Sequence, residues 1–153
     1  MLVFSEYQTD TIDLALDFYG YEDCPKNYEF GPSVRDNFVL HFITKGKGVF
    51  HFNKKEIHLE AGDLFLLPKN KVTYYKADAE EPWSYYWIGI SGTKVSDFMR
   101  FSTLHEKGFL KKTEVETERI GQFMEQLVHK AEASKMTSHY QLHLLSQIYE
   151  LLF

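Results

Sequence analysis

A mainly β barrel or sandwich followed by helices is the architecture this sequence predicts, and three observations carry it. Short apolar runs recur roughly every eight to twelve residues up to Ser91, each closed by a glycine or proline turn. Aromatic residues make up 16% of the chain, with ten Tyr and thirteen Phe, which strands and pockets favour over helical bundles. From Thr93 onward the apolar spacing changes from two to three and four.

In chain order, Ile12, Leu14, Leu16 and Phe18 alternate with Asp13, Ala15 and Asp17, the pattern of a half-buried strand. Phe38 to Thr44 and Val49 to Phe52 are the next apolar runs. Lys45-Gly46-Lys47-Gly48 between them predicts a tight hairpin, because glycine accepts positive φ. Glu56 to Leu59 leads through the turn Ala61-Gly62-Asp63 into Leu64 to Leu67. Pro68-Lys69-Asn70-Lys71 turns the chain into Val72 to Ala77. After Asp78-Ala79-Glu80-Glu81-Pro82, Trp83 to Ile90 reads as the last strand.

Ile120, Phe123, Met124, Leu127, Val128 and Ala131 then mark an amphipathic helix, with Thr113 and Glu116 as a capping box at its start. Ser138 and Gln141 open a second helix. Leu142, Leu145, Tyr149 and Leu152 run along one side of it, beside Leu144, Ile148 and Leu151. That stripe is wider than one barrel can cover, so Leu142, Leu145, Tyr149 and Leu152 are the expected dimer interface. Tyr149 to Phe153 ends apolar, without a Gly, Asn or basic cap, and the expectation is a chain cut from a longer protein.

Composition excludes several function classes. The 153 residues carry a formal charge of −5 with no basic stripe, a poor surface for nucleic acid. Cys24 is the one cysteine, so neither an internal disulfide nor a multi-Cys zinc site is possible within the chain. Met1-Leu2-Val3-Phe4 runs into Ser5-Glu6 without a signal-peptide pattern, and no apolar run has spanning length. A cytoplasmic protein without membrane contact is expected. Ser91-Gly92-Thr93 lacks a nucleophile elbow, and Gly46-Lys47-Gly48 is too short for a phosphate loop. Glu80-Glu81 and Glu114, Glu116 and Glu118 read as solvated faces.

The aromatic strand carries more information. Trp83, Tyr85 and Trp87 share one face, and Ser84, Tyr86 and Ile88 the other. One face is expected to line the barrel interior while helices or a second sheet cover the other.

Several segments, taken in order, resemble the AraC family of transcription regulators. They are Gly31-Pro32-Ser33-Val34-Arg35-Asp36, Leu40-His41-Phe42-Ile43, Gly46-Lys47-Gly48, and Ala61-Gly62-Asp63-Leu64-Phe65-Leu66-Leu67-Pro68. Tyr74-Tyr75-Lys76-Ala77-Asp78, Pro82-Trp83-Ser84-Tyr85-Tyr86-Trp87-Ile88 and Ser91-Gly92 continue the match, which covers roughly residues 20 to 105. It is most similar to the branch that governs sugar-use operons in low-GC Gram-positive bacteria. The resemblance implies a cupin-like jelly-roll barrel over residues 1–92 that binds a small effector. It also implies a helical dimerisation region over 93–153, and a C-terminal helix-turn-helix domain, absent here, that contacts DNA. The implied partners are a saccharide effector and a second copy of the chain. No cofactor is implied.

Carried over position by position, the resemblance puts Tyr75, Tyr85 and Trp87 where effector contacts are usual. Arg35 and His41 share a parity on the early strands and could supply polar contacts from the facing wall. Trp and Tyr stack on sugar C–H faces and donate hydrogen bonds from one edge. Plain core packing is the alternative for each aromatic residue, a surface charge the alternative for Arg35, and a cage for a quaternary ammonium remains open. The same barrel often holds a catalytic metal on a His-x-His set. Here His51 and His58 lie seven apart, His41 has no near histidine, and Val72-Thr73-Tyr74 stands where the last histidine would fall. No metal site is expected. His51, His58, His105, His129, His139 and His143 read as surface or hydrogen-bonded histidines. The alternative functions are a small cupin enzyme, such as a sugar isomerase or epimerase, and a pure dimerisation module.

Overall fold

A computed structural model describes residues 2–6, 15–100 and 102–133. Among these, β1 (Leu2–Glu6), β2 (Ala15–Asp23), β9 (Ser84–Ser91), β4 (Phe38–Lys45), β7 (Leu64–Leu67) and β10 (Phe109–Leu110) form a six-stranded sheet in that spatial order. A four-stranded sheet runs β3 (Glu29–Ser33), β8 (Thr73–Ala77), β5 (Lys47–Phe52) and β6 (Lys55–Glu60). All pairings between these strands are antiparallel. Helices α1 (Thr93–Arg100), α2 (Thr103–Lys107) and α3 (Glu118–Ala133) follow the barrel strands, with β10 between α2 and α3.

Strand alternation divides the apolar residues into two cores. Inward residues of both sheets, including Val39, Ile43, Phe50, Phe65, Leu67, Tyr75, Trp83 and Tyr85, fill the space between the sheets. The outward residues of the large sheet, among them Leu40, Leu64, Leu66, Tyr86, Ile88 and Ile90, meet Val95, Met99, Met124, Leu127, Val128 and Ala131 from the helices. Both faces of β9 are therefore buried, one in each core, as the aromatic alternation implies.

The structure corrects the expected elements at several points. The Lys45–Gly48 segment is no hairpin, since β4 and β5 lie in different sheets and the chain turns a corner there. Gly46 takes φ 76° against the Pro82 carbonyl. Gly48 is needed for contact: a Cβ on it would lie 2.5 Å from the Trp83 ring. The tight hairpin is at Asn53-Lys54 between β5 and β6, with both residues at positive φ.

Period two also fails in β2. A bulge between Leu16 and Phe18 sends Leu16 to the helical core and Phe18 into the barrel. Ile12 to Leu14 lie outside the described residues. Trp83–Ile90 is not the final strand, because Phe109 and Leu110 pair with Phe65 and Leu64 of β7. Two residues are too few to leave a periodic signature. Finally, α3 starts at Glu118, and Thr113 and Glu116 stand exposed in the preceding turn. Thr117 precedes the helix and donates its hydroxyl to the Gly62 carbonyl, while buried Asp63 accepts the Lys112 amide at 2.9 Å. These two bonds moor the approach to α3 on the β6–β7 corner. The second helix, with Ser138, Gln141 and the interface candidates Leu142, Leu145, Tyr149 and Leu152, lies outside the described residues, as do His139 and His143.

Candidate functional site

One end of the barrel contains a cavity of about 240 Å³. Its floor is made by the buried residues Val39 and His41 of β4, Leu67 of β7, Tyr75 of β8, and Tyr85 and Trp87 of β9. Its rim is half-buried: Phe18 and Glu22 from β2, Tyr28, Phe30 from β3, and Arg35. Arg35, His41, Tyr75, Tyr85 and Trp87, the five residues singled out from sequence, all line this one space.

Strand pairing explains the convergence. His41 is the register partner of both Phe65 on β7 and Trp87 on β9, and Ile43 pairs with Tyr85. Tyr75 enters from the facing sheet, where Phe30 is its partner and stacks on it at 5.5 Å. The parity argument for Arg35 is corrected. Arg35 lies between β3 and β4, held by a bridge to Lys69 and by its carbonyl accepting the Asn70 amide at 2.7 Å. Its guanidinium reaches the cavity over the rings of Phe30 (5.1 Å) and Phe18 (5.4 Å).

The floor is an aromatic nest around an imidazole. His41 stacks on Phe65 with centroids 4.3 Å apart and 9° between planes, and meets Tyr85 and Tyr75 edge-on at 4.9 and 5.4 Å. Complete burial pushes its pKa down to about 3, and the Arg35 cation adds to the shift. His41 is a neutral ring at ordinary pH, and its Nδ1 has no hydrogen-bond partner among the described residues. The Tyr85 hydroxyl donates to that of Tyr75 at 3.5 Å, and burial raises both phenols well above their usual range, so both stay protonated. At the rim, partial burial raises the Glu22 carboxyl. Arg35 makes no ion pair among the described residues.

Trp83 shares the face of Tyr85 and Trp87 but lies deeper. It stacks on Phe65 at 5.2 Å and is fully buried, which makes it core and not cavity wall. The sequence reading missed Phe18, Glu22, Tyr28, Phe30, Val39 and Leu67. Val39 was recoverable, being two residues from His41 on the same strand face. Phe18 was hidden by the bulge, and Tyr28 and Phe30 lie in a stretch with little periodicity. Phe18 also sits over Gly89, where a Cβ would come within 2.3 Å of its ring.

Elsewhere, His58 is exposed, His51 lies 5.2 Å from the Tyr74 ring, His105 is edge-on to Phe38, and His129 bonds Tyr86. Among the described residues no three His, Cys, Asp or Glu side chains gather as a metal site would require. Nor is any described helix long and apolar enough to cross a membrane.

The AraC-like ligand binding domain family matches residues 15–152, nearly the whole chain. The chain belongs to that family. This AraC-like domain is 46% identical over 105 residues to the Msm operon regulatory protein of Streptococcus mutans, covering 69% of the chain and 38% of that relative. It is 41% identical over 100 residues to the raffinose operon transcriptional regulatory protein RafR of Pediococcus pentosaceus, covering 63% of the chain and 36% of the relative. The AraC-like domain thus spans a little over a third of the length of these relatives. Among solved structures it is similar to YhaK of Escherichia coli (TM-score 0.51, 14% identity, 61% of this chain and 46% of that one), a likeness of fold.

Proposed function

We propose that this chain is the effector-sensing and dimerisation part of an AraC-type transcription regulator of a carbohydrate-use operon. One observation carries the proposal. In a family named for ligand binding, the barrel cavity joins a stacking wall, Trp87, to polar groups from four separate segments: Arg35, His41, Tyr75 and Tyr85. Apolar walls with a few convergent polar groups are how small-molecule sites are built. A saccharide suits this mixture, since its C–H faces stack on rings while its hydroxyls take hydrogen bonds. The raffinose operon named for one relative supports the same class of effector.

In this proposal residues 1–92 bind the effector and residues 93–153 pair two subunits through Leu142, Leu145, Tyr149 and Leu152. DNA is contacted by a further domain of the longer protein, and the whole acts in the cytoplasm. The acidic chain has no basic stripe of its own for that task. The mechanism is linkage: effector binds one arrangement of barrel and helices better than another and shifts their populations. The role is regulatory, not enzymatic. The test is a panel of neutral saccharides followed by melting temperature and tryptophan emission. At least one should raise the melting temperature through mass action and change the emission. A panel with no shift in either signal would defeat the saccharide, and a shift with quaternary amines alone would replace it.

A further inference from the structure

We infer that two copies of this chain meet head to tail, with the turn around Val115 of one copy seated in a lysine-rimmed groove on the small sheet of the other. The contact does not depend on what fills the barrel cavity, and it is separate from the helical seam proposed above. The large hydrophobic side chains that stand in solvent are its starting point. Among the described residues these are Val34, Val72 and Val115, exposed by 58%, 62% and 45%.

Two of the three fall at one corner. Ser33 of β3 pairs with Thr73 of β8, so Val34 and Val72, one step beyond each, stand at the same end of the small sheet. Val72 lines an open groove with Pro32, Tyr74 and the β5–β6 hairpin. Three lysines border it, Lys54, Lys55 and Lys71, against one carboxylate, Glu56, which lies 4.0 Å from His58. All three lysines are exposed, and none has an ion pair among the described residues. In a chain of net charge −5 this is an apolar spot with a cationic rim. Apolar patches rimmed by polar groups mark contact surfaces, and the charge of the rim selects a partner of opposite sign.

The third valine carries the complementary pattern. Val115 lies in the link between β10 and α3, where residues 113 to 119 hold three carboxylates, Glu114, Glu116 and Glu118, and one cation, Arg119. Glu114 lies 3.6 Å from Lys107 in an exposed pair that water screens, and Glu116 has no ion pair among the described residues. The turn is fixed in place. The Glu114 and Val115 amides donate to the Lys111 carbonyl, while Lys112 and Thr117 tie its ends to Asp63 and Gly62. Little freedom is therefore lost on docking. The turn sits at the β6–β7 corner and the groove at the β5–β6 hairpin, so the length of β6, about 17 Å, keeps them apart within one chain. A second copy brings them together. Because the two surfaces differ, the contact is heterologous and adds copies in a row or a ring. Its small area makes it weak, so it acts where copies are already held close.

Sedimentation of the 153-residue chain tests the contact through a charge swap. The weight-average mass of the wild type should rise at least by half between about 10 μM and about 1 mM, the range of weak contacts. Raising salt from about 0.01 M to about 1 M shortens the screening length roughly tenfold and should shrink that rise. Lys54→Glu with Lys55→Glu reverses the groove, and Glu114→Lys with Glu116→Lys reverses the turn. All four positions are exposed, so the fold should survive both changes. Each double variant should lose at least half of the rise. An equal mixture of the two should regain it, because every mixed contact again joins opposite charges. A helical seam is touched by neither change and cannot produce that recovery. No rise in the wild type, a rise of which either variant keeps more than half, or a mixture no heavier than its components overturns the inference.

Discussion

Tyr86 on the outer face of β9 and His129 on α3 are joined by a 3.1 Å hydrogen bond, one residue away from Trp87 on the cavity face of the same strand. The strand thus touches the cavity on one side and the helical core on the other. Removing the hydroxyl should loosen that link without emptying the core, since Tyr86 also packs on Tyr21 at 4.6 Å. Tyr86→Phe should cost about 1 kcal/mol, the usual net value of such a bond. In a domain of this size that lowers the melting temperature by roughly 2–4 °C. Calorimetry of the variant checks it, and an unchanged melting temperature would show that the bond contributes nothing.

His41 makes stability depend on pH in a defined direction. Unfolded, its imidazole takes a proton near its ordinary pKa of 6.5, whereas in the folded protein it does so at about 3. Between those values the unfolded state holds more protons, so stability falls as pH falls. The contribution is complete well above pH 6.5 and is lost on the way down to pH 3, on the order of 5 kcal/mol in all. His41→Gln, which cannot titrate, should be less stable at pH 7 yet show a shallower decline under acid in urea titrations. Equal slopes for the two proteins would contradict the assignment.

Gly121 is the fourth residue of α3, at the end of its first turn, where glycine is less favourable than alanine by up to about 1 kcal/mol. Packing explains its presence. A Cβ there would lie 2.2 Å from the Phe42 ring, which approaches the helix from β4. Gly121→Ala should therefore destabilise by about 1–3 kcal/mol, reversing the sign that helix propensity alone predicts. Gly121→Ala combined with Phe42→Leu should recover part of the loss. A single variant more stable than the wild type would mean that α3 does not pack this closely.

Much of this was legible from residue order, and the failures have physical causes. The alternation of Trp83 to Ile88 assigned both faces of β9 because a straight strand has a period of two. Tyr75, Tyr85 and Trp87 followed from that period and from family position together. Arg35 was placed in the cavity for the wrong reason, since a residue between strands has no parity to read. The bulge near Asp17, the Asn53-Lys54 hairpin and the Gly46 corner are local backbone choices whose composition suits several turns. Glu22 and Tyr28 could not be found by pattern, because the rim is assembled by long-range pairing.

The proposed dimer seam can be tested through its sequence stripe. Leu142, Leu145, Tyr149 and Leu152 recur at three and four, on a helix pattern already flanked by Leu144, Ile148 and Leu151. Leu145→Asp would bury an unpaired carboxylate in such a seam, at a cost of several kcal/mol. Sedimentation should find the wild type dimeric and the variant monomeric at equal concentration. A dimer indifferent to Leu145→Asp would move the interface to the barrel, and a monomeric wild type would remove it.

The two tryptophans separate core from cavity. Trp83 is fully buried, stacked on Phe65 and wedged against Gly48, whereas Trp87 is 9% exposed and borders the open cavity. Truncating a packed aromatic leaves a void on every side, so Trp83→Ala should cost about 3–5 kcal/mol and leave much of the protein unfolded. Around Trp87 part of the space is already empty, fewer contacts are lost, and Trp87→Ala should cost at least about 1 kcal/mol less. It should nevertheless weaken saccharide binding at least tenfold, because the stacking face is gone. Each variant also keeps a single indole, so the emission change on sugar binding can be assigned. It should persist where Trp87 is retained, in the milder Trp83→Phe, and vanish in Trp87→Ala. Equal destabilisation by the two alanine variants, with sugar binding lost only through unfolding, would return Trp87 to the core.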